Sequence, residues 1–419
     1  MRKVASASFI GTAIEFYDYY IYGTAAALVL NEAFFPSLSP LAGTLASLAT
    51  FAIGFIARPF GAILFGHFGD RVGRKAVLVV SLLLMGLSTA VIGLLPDFST
   101  IGVAAPILLV LLRILQGIGL GGEWGGAALL ATEYAPRERR GLFASAPQLG
   151  SPVGYFVATA VFWALSTWLP ADAFQSWGWR VPFLLSFVLV VVGLRIRLQI
   201  AETPAFAAFT AKTEAAKLPI AQVVRRNPKE LLLGAGAIVV VYVMFYTAAT
   251  YCLTYTTKTL GIPRPTMLAL TLVAVVVLGV STYLVARLSD RLGRRKLVIA
   301  GAAFGVVWGF LLFPLLDTRN YFLIAVALSG ALLCMGIVYG PMGAYLPELF
   351  ATDVRYSGAG VAYNLGGVLG GGVAPLLVAQ ISESAGTTGA GWFMSGMALL
   401  SLLCVLALPE TRDRDLTKV

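Results

Sequence analysis

Five ionisable side chains sit where an apolar run should carry none: Glu15 and Asp18 in the first long hydrophobic segment, Arg58 in the second, Arg113 and Glu123 in the fourth. At ~2.5–3.5 kcal/mol for each such group at mid-bilayer, five unpaired charges would cost roughly 12–17 kcal/mol. That rivals the whole stability of an ordinary fold, ~5–15 kcal/mol. They must pair with one another or line a wet cavity. Pairing for packing alone is one reading; a substrate or proton path, which intramembrane charges more often mark, is the other. Glu15, Asp18 and Tyr22 recur at i, i+3 and i+7, one stripe of a helix. Gln116 and Glu123 are seven apart and share a face, with Arg113 on the adjoining turn. Asp18 and Arg58 both fall near mid-depth at ~1.5 Å of rise per residue, and Arg113 reaches comparable depth from the other side. The chemistry of such a set is anion binding and proton exchange. A guanidinium grips a carboxylate bidentately without deprotonating. A buried carboxylate beside an arginine is switched between charged and neutral forms by that partner's availability.

The second half of the chain offers Tyr242 and Tyr246 in its first span, Tyr339 in its fourth, and Tyr363 with Asn364 in its fifth. Their depth and polarity suit substrate binding, although aromatic residues in spans also serve as packing or interface anchors. His67 is the single histidine, at a loop edge where a structural role outweighs proton relay. Without a second histidine there is no H-E-x-x-H pair and no catalytic triad, so an enzyme and a metal site are not expected. Cys252, Cys334 and Cys404 all fall in apolar spans without metal-ligand spacing and read as small core residues.

The elements that must hold these residues follow from composition. Apolar residues are 58% of the 419 and charged ones 12%, far from the ~45–50% and ~25% of soluble domains. Twelve apolar stretches of membrane-spanning length can be marked, from Ser8–Leu30 to Trp392–Leu408. The first is no cleavable signal peptide, being too long and carrying Glu15 and Asp18. The net charge of +10 is unevenly spread. The termini and the connections on their side collect 24 of the 30 Lys and Arg, whereas Arg180, Lys258, Arg264 and Arg319 fall opposite. That is the positive-inside pattern, so both termini are expected in the cytoplasm of a multi-pass bacterial inner-membrane protein. The basic excess then reports orientation and contact with anionic lipid, not a nucleic-acid partner.

A charged, glycine-studded loop recurs half a chain apart. Gly66-His67-Phe68-Gly69-Asp70-Arg71-Val72-Gly73-Arg74-Lys75 returns as Ala286-Arg287-Leu288-Ser289-Asp290-Arg291-Leu292-Gly293-Arg294-Arg295-Lys296. Glu133 to Arg140 after the fourth span is echoed by Glu348 to Arg355 after the tenth, and Glu202-Thr203-Pro204 by Pro409-Glu410-Thr411. The economical reading is an all-α membrane protein of two six-helix bundles, 1–194 and 231–419, joined by a polar loop at 195–230. Two such repeats would flank a site near the bilayer midplane. Gly117-x-Gly119-x-x-Gly122 formally matches a dinucleotide fingerprint, but it lies inside an apolar span, where close helix packing is the better account.

The repeated loop resembles the loop motif of the major facilitator superfamily, and the first copy carries the likeness more fully than the second. That resemblance implies twelve transmembrane helices, alternating access, and a latch that holds the halves together on the inner side. Its members would be Asp70, Arg71, Arg74, Glu133 and Arg140 in one half, with Asp290, Arg294, Glu348 and Arg355 in the other. Gly11-x-x-x-Glu15-Phe16-Tyr17-Asp18-x-x-x-Tyr22-Gly23 and Arg58-Pro59-x-Gly61 narrow it further. With Arg113-x-x-Gln116-Gly117-x-x-x-Gly121-Gly122-Glu123-Trp124-Gly125-Gly126, they resemble the metabolite:proton symporter family. That family includes carriers of shikimate, α-ketoglutarate, citrate, and proline or betaine. The likeness covers nearly the whole chain.

By that resemblance Asp18 would be the proton-coupling carboxylate, with Arg113 its exchange partner and Glu15 and Glu123 beside them. Arg58 and Arg113 would read a substrate carboxylate, joined by Tyr22, Gln116, Tyr242, Tyr246, Tyr339 and Asn364. The expectation is therefore proton-coupled symport of a small organic anion by a monomer with no cofactor but the proton. Alternatives are a zwitterion carrier, a facilitator or an antiporter, with a membrane enzyme remote. Gly150-Ser151-Pro152-x-Gly154 faintly resembles the antiporter motif. The osmosensory members carry a long C-terminal coiled coil, and only eleven residues follow Leu408 here, which counts against a betaine carrier.

Overall fold

The computed structural model describes residues 2–72, 74–121, 135–199, 219–351 and 354–414. Within these, the chain crosses the apolar layer as helices and forms no strand. In lipid every backbone N–H and C=O must be satisfied within the segment, which leaves a helix as the default for apolar runs of this length. The first half comprises α1 (Arg2–Leu28), α2 (Pro40–Val72), α3 (Arg74–Leu94), α4 (Ala104–Gly121), α5 (Arg140–Trp168) and α6 (Val181–Gln199). The second comprises α7 (Pro228–Thr259), α8 (Arg264–Leu292), α9 (Arg294–Asp317), α10 (Tyr321–Glu348), α11 (355–385) and α12 (387–407).

By length and apolarity alone, nine of the described helices qualify as spans. Three features separate nine from twelve. The run Ser357–Ala407 counts once although Gly386, at φ 73°, breaks it into α11 and α12. The third span is short, Val79–Leu94, and α1 carries its buried acids. Gly386 and Gly293 (φ 97°) occupy the left-handed region at the one-residue reversals α11–α12 and α8–α9. Glu123 and Glu133 lie outside the described residues; so do the side chains of Asp70, Arg71 and Arg74, whose backbones lie in α2 and α3.

The helices of each half pack in the same pattern. In the first half α1 lies on α5, α2 on α4, and α3 on both α4 and α6. Six helices later α7 lies on α11, α8 on α10, and α9 on both α10 and α12. Across the halves the correspondence also holds: α5 meets α8, and α2 meets α11. Glycine sets the closest approaches, because in lipid small residues let backbones meet where no hydrophobic drive exists between helices. Cβ atoms on Gly117 and Gly121 would strike the α2 backbone at Gly54 and Arg58, and one on Gly61 would strike the backbone of Ile118.

Two spans depart from regular helix. α7 takes π-helical turns at Thr247–Tyr251 and Tyr255–Thr259, and α11 does so at Val368–Val373. Such turns widen the helix by one residue and recur at functional sites. The turns at Thr247–Tyr251 and Val368–Val373 border the centre of the molecule, where α1, α2, α7 and α11 converge, and the turn at Tyr255–Thr259 lies at the end of α7.

Candidate functional site

Arg58 stands between α1, α2, α7 and α11, only 2% exposed. Its guanidinium carbon lies 4.1 Å from the ring centroid of Tyr19 and 4.2 Å from that of Phe55. Tyr242, Tyr246 and Tyr363 are close enough for its charge to act on their phenols. Aromatic faces stabilise the cation by ~2 kcal/mol or more when dry, yet they accept no directional hydrogen bond. Nε and Nη2 of Arg58 are without a close hydrogen-bond partner among the described residues, and the Tyr19 hydroxyl lies beside the guanidinium. The rings form a continuous wall. Tyr242 and Tyr246 lie parallel with centroids 6.1 Å apart, and Tyr363 meets Tyr242 edge-on at 5.4 Å.

This wall borders a narrow central cavity lined by Tyr20, Ser151, Tyr242, Tyr246, Tyr339 and Tyr363 over an apolar floor of Phe16, Val241, Phe245 and Met335. About 10 Å³ of it could hold water, room for about one molecule. The Tyr20 and Ser151 hydroxyls are bonded at 2.5 Å. Those of Tyr242 and Tyr339 are buried, with the Tyr363 hydroxyl within hydrogen-bonding reach of both.

Arg113, fully buried on α4, is engaged. Nη1 donates to Gln116 Oε1, Nη2 to the Phe51 carbonyl at 3.2 Å, and Nε to the Thr50 carbonyl at 3.4 Å. Its face rests 3.8 Å from the Tyr22 ring centroid, and the Tyr22 hydroxyl pairs with that of Thr50 at 2.6 Å. Gly54 leaves the space for this guanidinium, since a Cβ there would strike it.

Asp18 and Arg113, expected as proton-coupling carboxylate and exchange partner, are linked here through a third side chain. Gln116 stands between them: its Nε2 donates to the Asp18 backbone carbonyl at 3.1 Å and to Thr89 Oγ1 at 2.8 Å. The Asp18 carboxylate points to the back of α1, toward α3 and α6. Its Oδ2 lies 3.4 Å from where a Cβ on Gly86 would stand, near the Ser186 hydroxyl. That hydroxyl is within hydrogen-bonding reach of the carboxylate. Glu15 is buried one turn earlier.

The structure thus brings Arg58, Tyr242, Tyr246 and Tyr339 to one centre and gathers Asp18, Gln116, Arg113 and Tyr22 behind it. Asn364 does not line the cavity; its amide donates to the Gly360 carbonyl at 2.9 Å and reaches that of Gly121, across the halves, at 3.5 Å. Sequence reasoning missed Tyr19, Tyr20 and Ser151. The string Tyr17-Asp18-Tyr19-Tyr20 held the signal, but only the rotation of α1 tells which ring faces inward.

On the face that bears the termini, the halves are clasped. Asp290, at the end of α8, accepts from the backbone N–H groups of Gly141 (2.8 Å) and Leu142 (3.0 Å). These open α5, where the helix end favours an anion. Arg294 pairs with Asp290 at 3.1 Å and with Glu348 at 3.5 Å. Thr411 donates to Glu348 at 2.6 Å. Glu410 caps α9, accepting from the N–H groups of Arg294 and Arg295 at 3.0 and 3.1 Å. Arg140 donates to the Arg414 carbonyl at 3.1 Å, and Arg355 to that of Phe350 at 3.3 Å. The part of Glu410 and Thr411 was not foreseen, although the Pro409-Glu410-Thr411 echo marked them.

The opposite face is closed as well. Thr254 donates to the Ala27 carbonyl at 3.2 Å, and the Arg264 guanidinium lies 4.0 Å from the ring centroid of Phe174. Gln175 bonds Glu32, and the charge of Glu32 reaches Lys258 and Arg264 across the halves. Among the described residues, contacts between the halves are thus formed at both faces.

Comparison with known proteins agrees with this architecture. The profile of the Major Facilitator Superfamily matches residues 8–368. The inner membrane metabolite transport protein YhjE of Escherichia coli K12 is 47% identical over 99% of this chain and 96% of its own. The shikimate transporter of the same organism is 39% identical over 91% and 87%, and the proline/betaine transporter of Salmonella typhimurium LT2 is 32% identical over 99% and 85%. Among solved structures, the xylose transporter XylE of Escherichia coli in a partially occluded inward-open conformation superposes with a TM-score of 0.77. It covers 99% of both chains at 20% identity, a likeness of fold.

Proposed function

The chain belongs to the major facilitator superfamily, whose members move metabolites across membranes rather than transform them, and from that premise we propose that it takes up a small organic anion together with protons. The observation that carries this reading is Arg58, a buried cation packed on the aromatic wall that borders the central cavity, with no close hydrogen-bond partner for Nε or Nη2 among the described residues. A planar anion such as a carboxylate completes it, and no neutral sugar does so as well. Substrate carboxylate at Arg58 and proton at Asp18 are the two ligands. A charge on Asp18 would be dry and unpaired, a costly arrangement that protonation relieves. Alternating access then exchanges the clasp at one face for that at the other. We place both termini in the cytoplasm and the protein in the bacterial inner membrane, acting as a monomer. The related carriers of shikimate and of proline or betaine leave a zwitterion as the second reading, which the aromatic walls around Arg58 favour.

Uptake into proteoliposomes tests it. With the lumen alkaline, a labelled carboxylate should accumulate above equilibrium, and a protonophore should abolish the accumulation. Arg58→Lys keeps the charge but loses the planar fork, so the apparent KM should rise about tenfold or more. Accumulation indifferent to the protonophore, or a neutral sugar as the best substrate, would overturn the reading.

A further inference from the structure

Behind the central cavity, Gln116 is a junction of three helices. Its Oε1 accepts from Arg113 on α4, the helix they share. Its Nε2 donates to the Asp18 carbonyl of α1 at 3.1 Å and to Thr89 Oγ1 of α3 at 2.8 Å. Thr89 in turn donates to the Met85 carbonyl, one turn earlier on α3, at 2.9 Å. Gln116 and Thr89 are both fully buried. An arginine only donates and a backbone carbonyl only accepts, so the protons of this chain have a single placement. They run from Arg113 to Gln116, from Gln116 to Asp18 and Thr89, and from Thr89 to Met85. With its own proton committed to Met85, the Thr89 hydroxyl can serve Gln116 only as an acceptor.

The place of Thr89 on α3 adds a second observation. Gly86 lies three positions earlier and so shares its face, and the Asp18 carboxylate rests against Gly86. α3 therefore meets Asp18 twice, at the carboxylate through Gly86 and at the backbone carbonyl through Thr89 and Gln116. Among the described residues α1 does not pack along α4, whereas α3 does. A Cβ on Gly119 of α4 would stand 3.0 Å from the Met85 backbone, so α3 and α4 are in close contact beside the junction. The Gln116 amide is thus the polar link from α1 to α4, and the hydroxyl of Thr89 holds that amide against α3.

We propose that Thr89 is a positioning residue for coupling: it anchors the Gln116 amide to α3, so that a displacement of Asp18 on gaining or losing its proton reaches Arg113. This rests on the reading of Asp18 as the proton-coupling carboxylate and adds the side chain that keeps it in register with Arg113. Thr89→Val keeps the shape and removes the acceptor. One buried N–H of Gln116 is then stranded, and the amide turns away to find another partner, loosening its hold on Asp18 and Arg113. Substrate still binds and exchanges, but the movement of Asp18 is no longer passed on in full.

The test compares two initial rates in proteoliposomes containing the full-length protein. One is uptake driven by an alkaline lumen, and the other is counterflow without a proton gradient. The probe is whichever of labelled benzoate, shikimate, lactate and succinate the wild type accumulates fastest. Both rates scale with the amount of folded protein, so a purely structural defect leaves their ratio unchanged. In Thr89→Val the ratio of driven uptake to counterflow should fall about fivefold or more, the equilibrium worth of one buried hydrogen bond. Thr89→Ser restores the hydroxyl without the methyl group and should hold the ratio within about twofold of wild type. In a Gln116→Leu background, where the partner is already gone, Thr89→Val should change the ratio less than about twofold. Should Thr89→Val not insert, Thr89→Ala removes the same oxygen with less bulk and carries the same expectation. A wild-type ratio in Thr89→Val, a loss in Thr89→Ser equal to that in Thr89→Val, or a full further loss in the Gln116→Leu background would overturn the proposal. In each of those cases wild-type uptake still collapses with a protonophore, and only the assignment of Thr89 falls. If the wild type accumulates none of the four acids, or does so indifferently to the protonophore, the coupling reading of Asp18 falls and takes the proposal with it.

Discussion

At the scale of single residues, Asp18 and Arg113 share a depth without sharing a bond. Gln116 connects them through the Asp18 backbone, so the state of one is passed to the other by the placement of α1 against α4. Asp18→Asn removes the titrating group and leaves the side-chain volume. Accumulation against a gradient should vanish, whereas counterflow of preloaded substrate persists at a tenth of wild type or more. Wild-type accumulation in that variant would remove Asp18 from coupling. Gln116→Leu strips a partner from Arg113, Thr89 and the Asp18 carbonyl. Each stranded buried group costs ~1–3 kcal/mol, so a clear fall in melting temperature should accompany weaker accumulation. The types and depths of these residues were legible in the sequence, because a charge in an apolar run is conspicuous on energetic grounds alone. Their facing was not. Consecutive helical positions differ by ~100°, which is enough to send Asp18 to the back of α1, Tyr19 to Arg58 and Tyr20 to the cavity.

At the scale of elements, glycine decides how closely α2 and α4 approach and therefore where Arg58 and Arg113 stand. The glycine string from Gly117 to Gly121 read as helix packing, and Gly117 and Gly121 do meet the α2 backbone, while Gly119 meets α3 at Met85 and Ser81. Gly117→Ala must push the two helices apart. Overpacking of this kind costs ~1–3 kcal/mol, and it should displace both guanidinium groups, lowering the melting temperature and raising the apparent KM together. Gly360→Ala is the control, since no atom lies within 4 Å of a Cβ there; it should leave both quantities at wild-type values. Equal effects at the two positions would show that helix propensity, not the α2–α4 contact, is being measured. The π-helical turns of α7 and α11 could not be read from the sequence, because one extra residue in a turn leaves the apolar pattern of a fully buried span unchanged.

At the scale of the whole molecule, the two-bundle plan was legible because charge records topology: basic loops collect on one side, and the duplicated Asp-Arg loop marks the same corner of each half. Which faces would be closed was not legible, since alternating access is an equilibrium and one sequence encodes all of its states. Here both clasps are engaged, and they differ in kind. The Asp290 clasp is ionic, joining the end of α8 to the start of α5. The opposite one sets Arg264 on Phe174, worth ~0.5–2 kcal/mol. Asp290→Asn keeps the shape but loses charge-assisted bonds, about twice as strong as neutral ones. The inward-open state should gain population, spin labels at Glu138 and Arg287 should move apart, and uptake should slow about tenfold with the protein still inserted. Arg264→Ala should do the reverse, separating labels at Asp172 and Thr266. If the halves rock as rigid bodies, the two clasps bias one equilibrium, and their effects must offset. The Asp290→Asn/Arg264→Ala variant should then return the Glu138–Arg287 distances toward wild type. Should the double variant instead widen both faces at once, the clasps act independently, and rigid-body exchange between two closed faces is not how this protein moves its substrate.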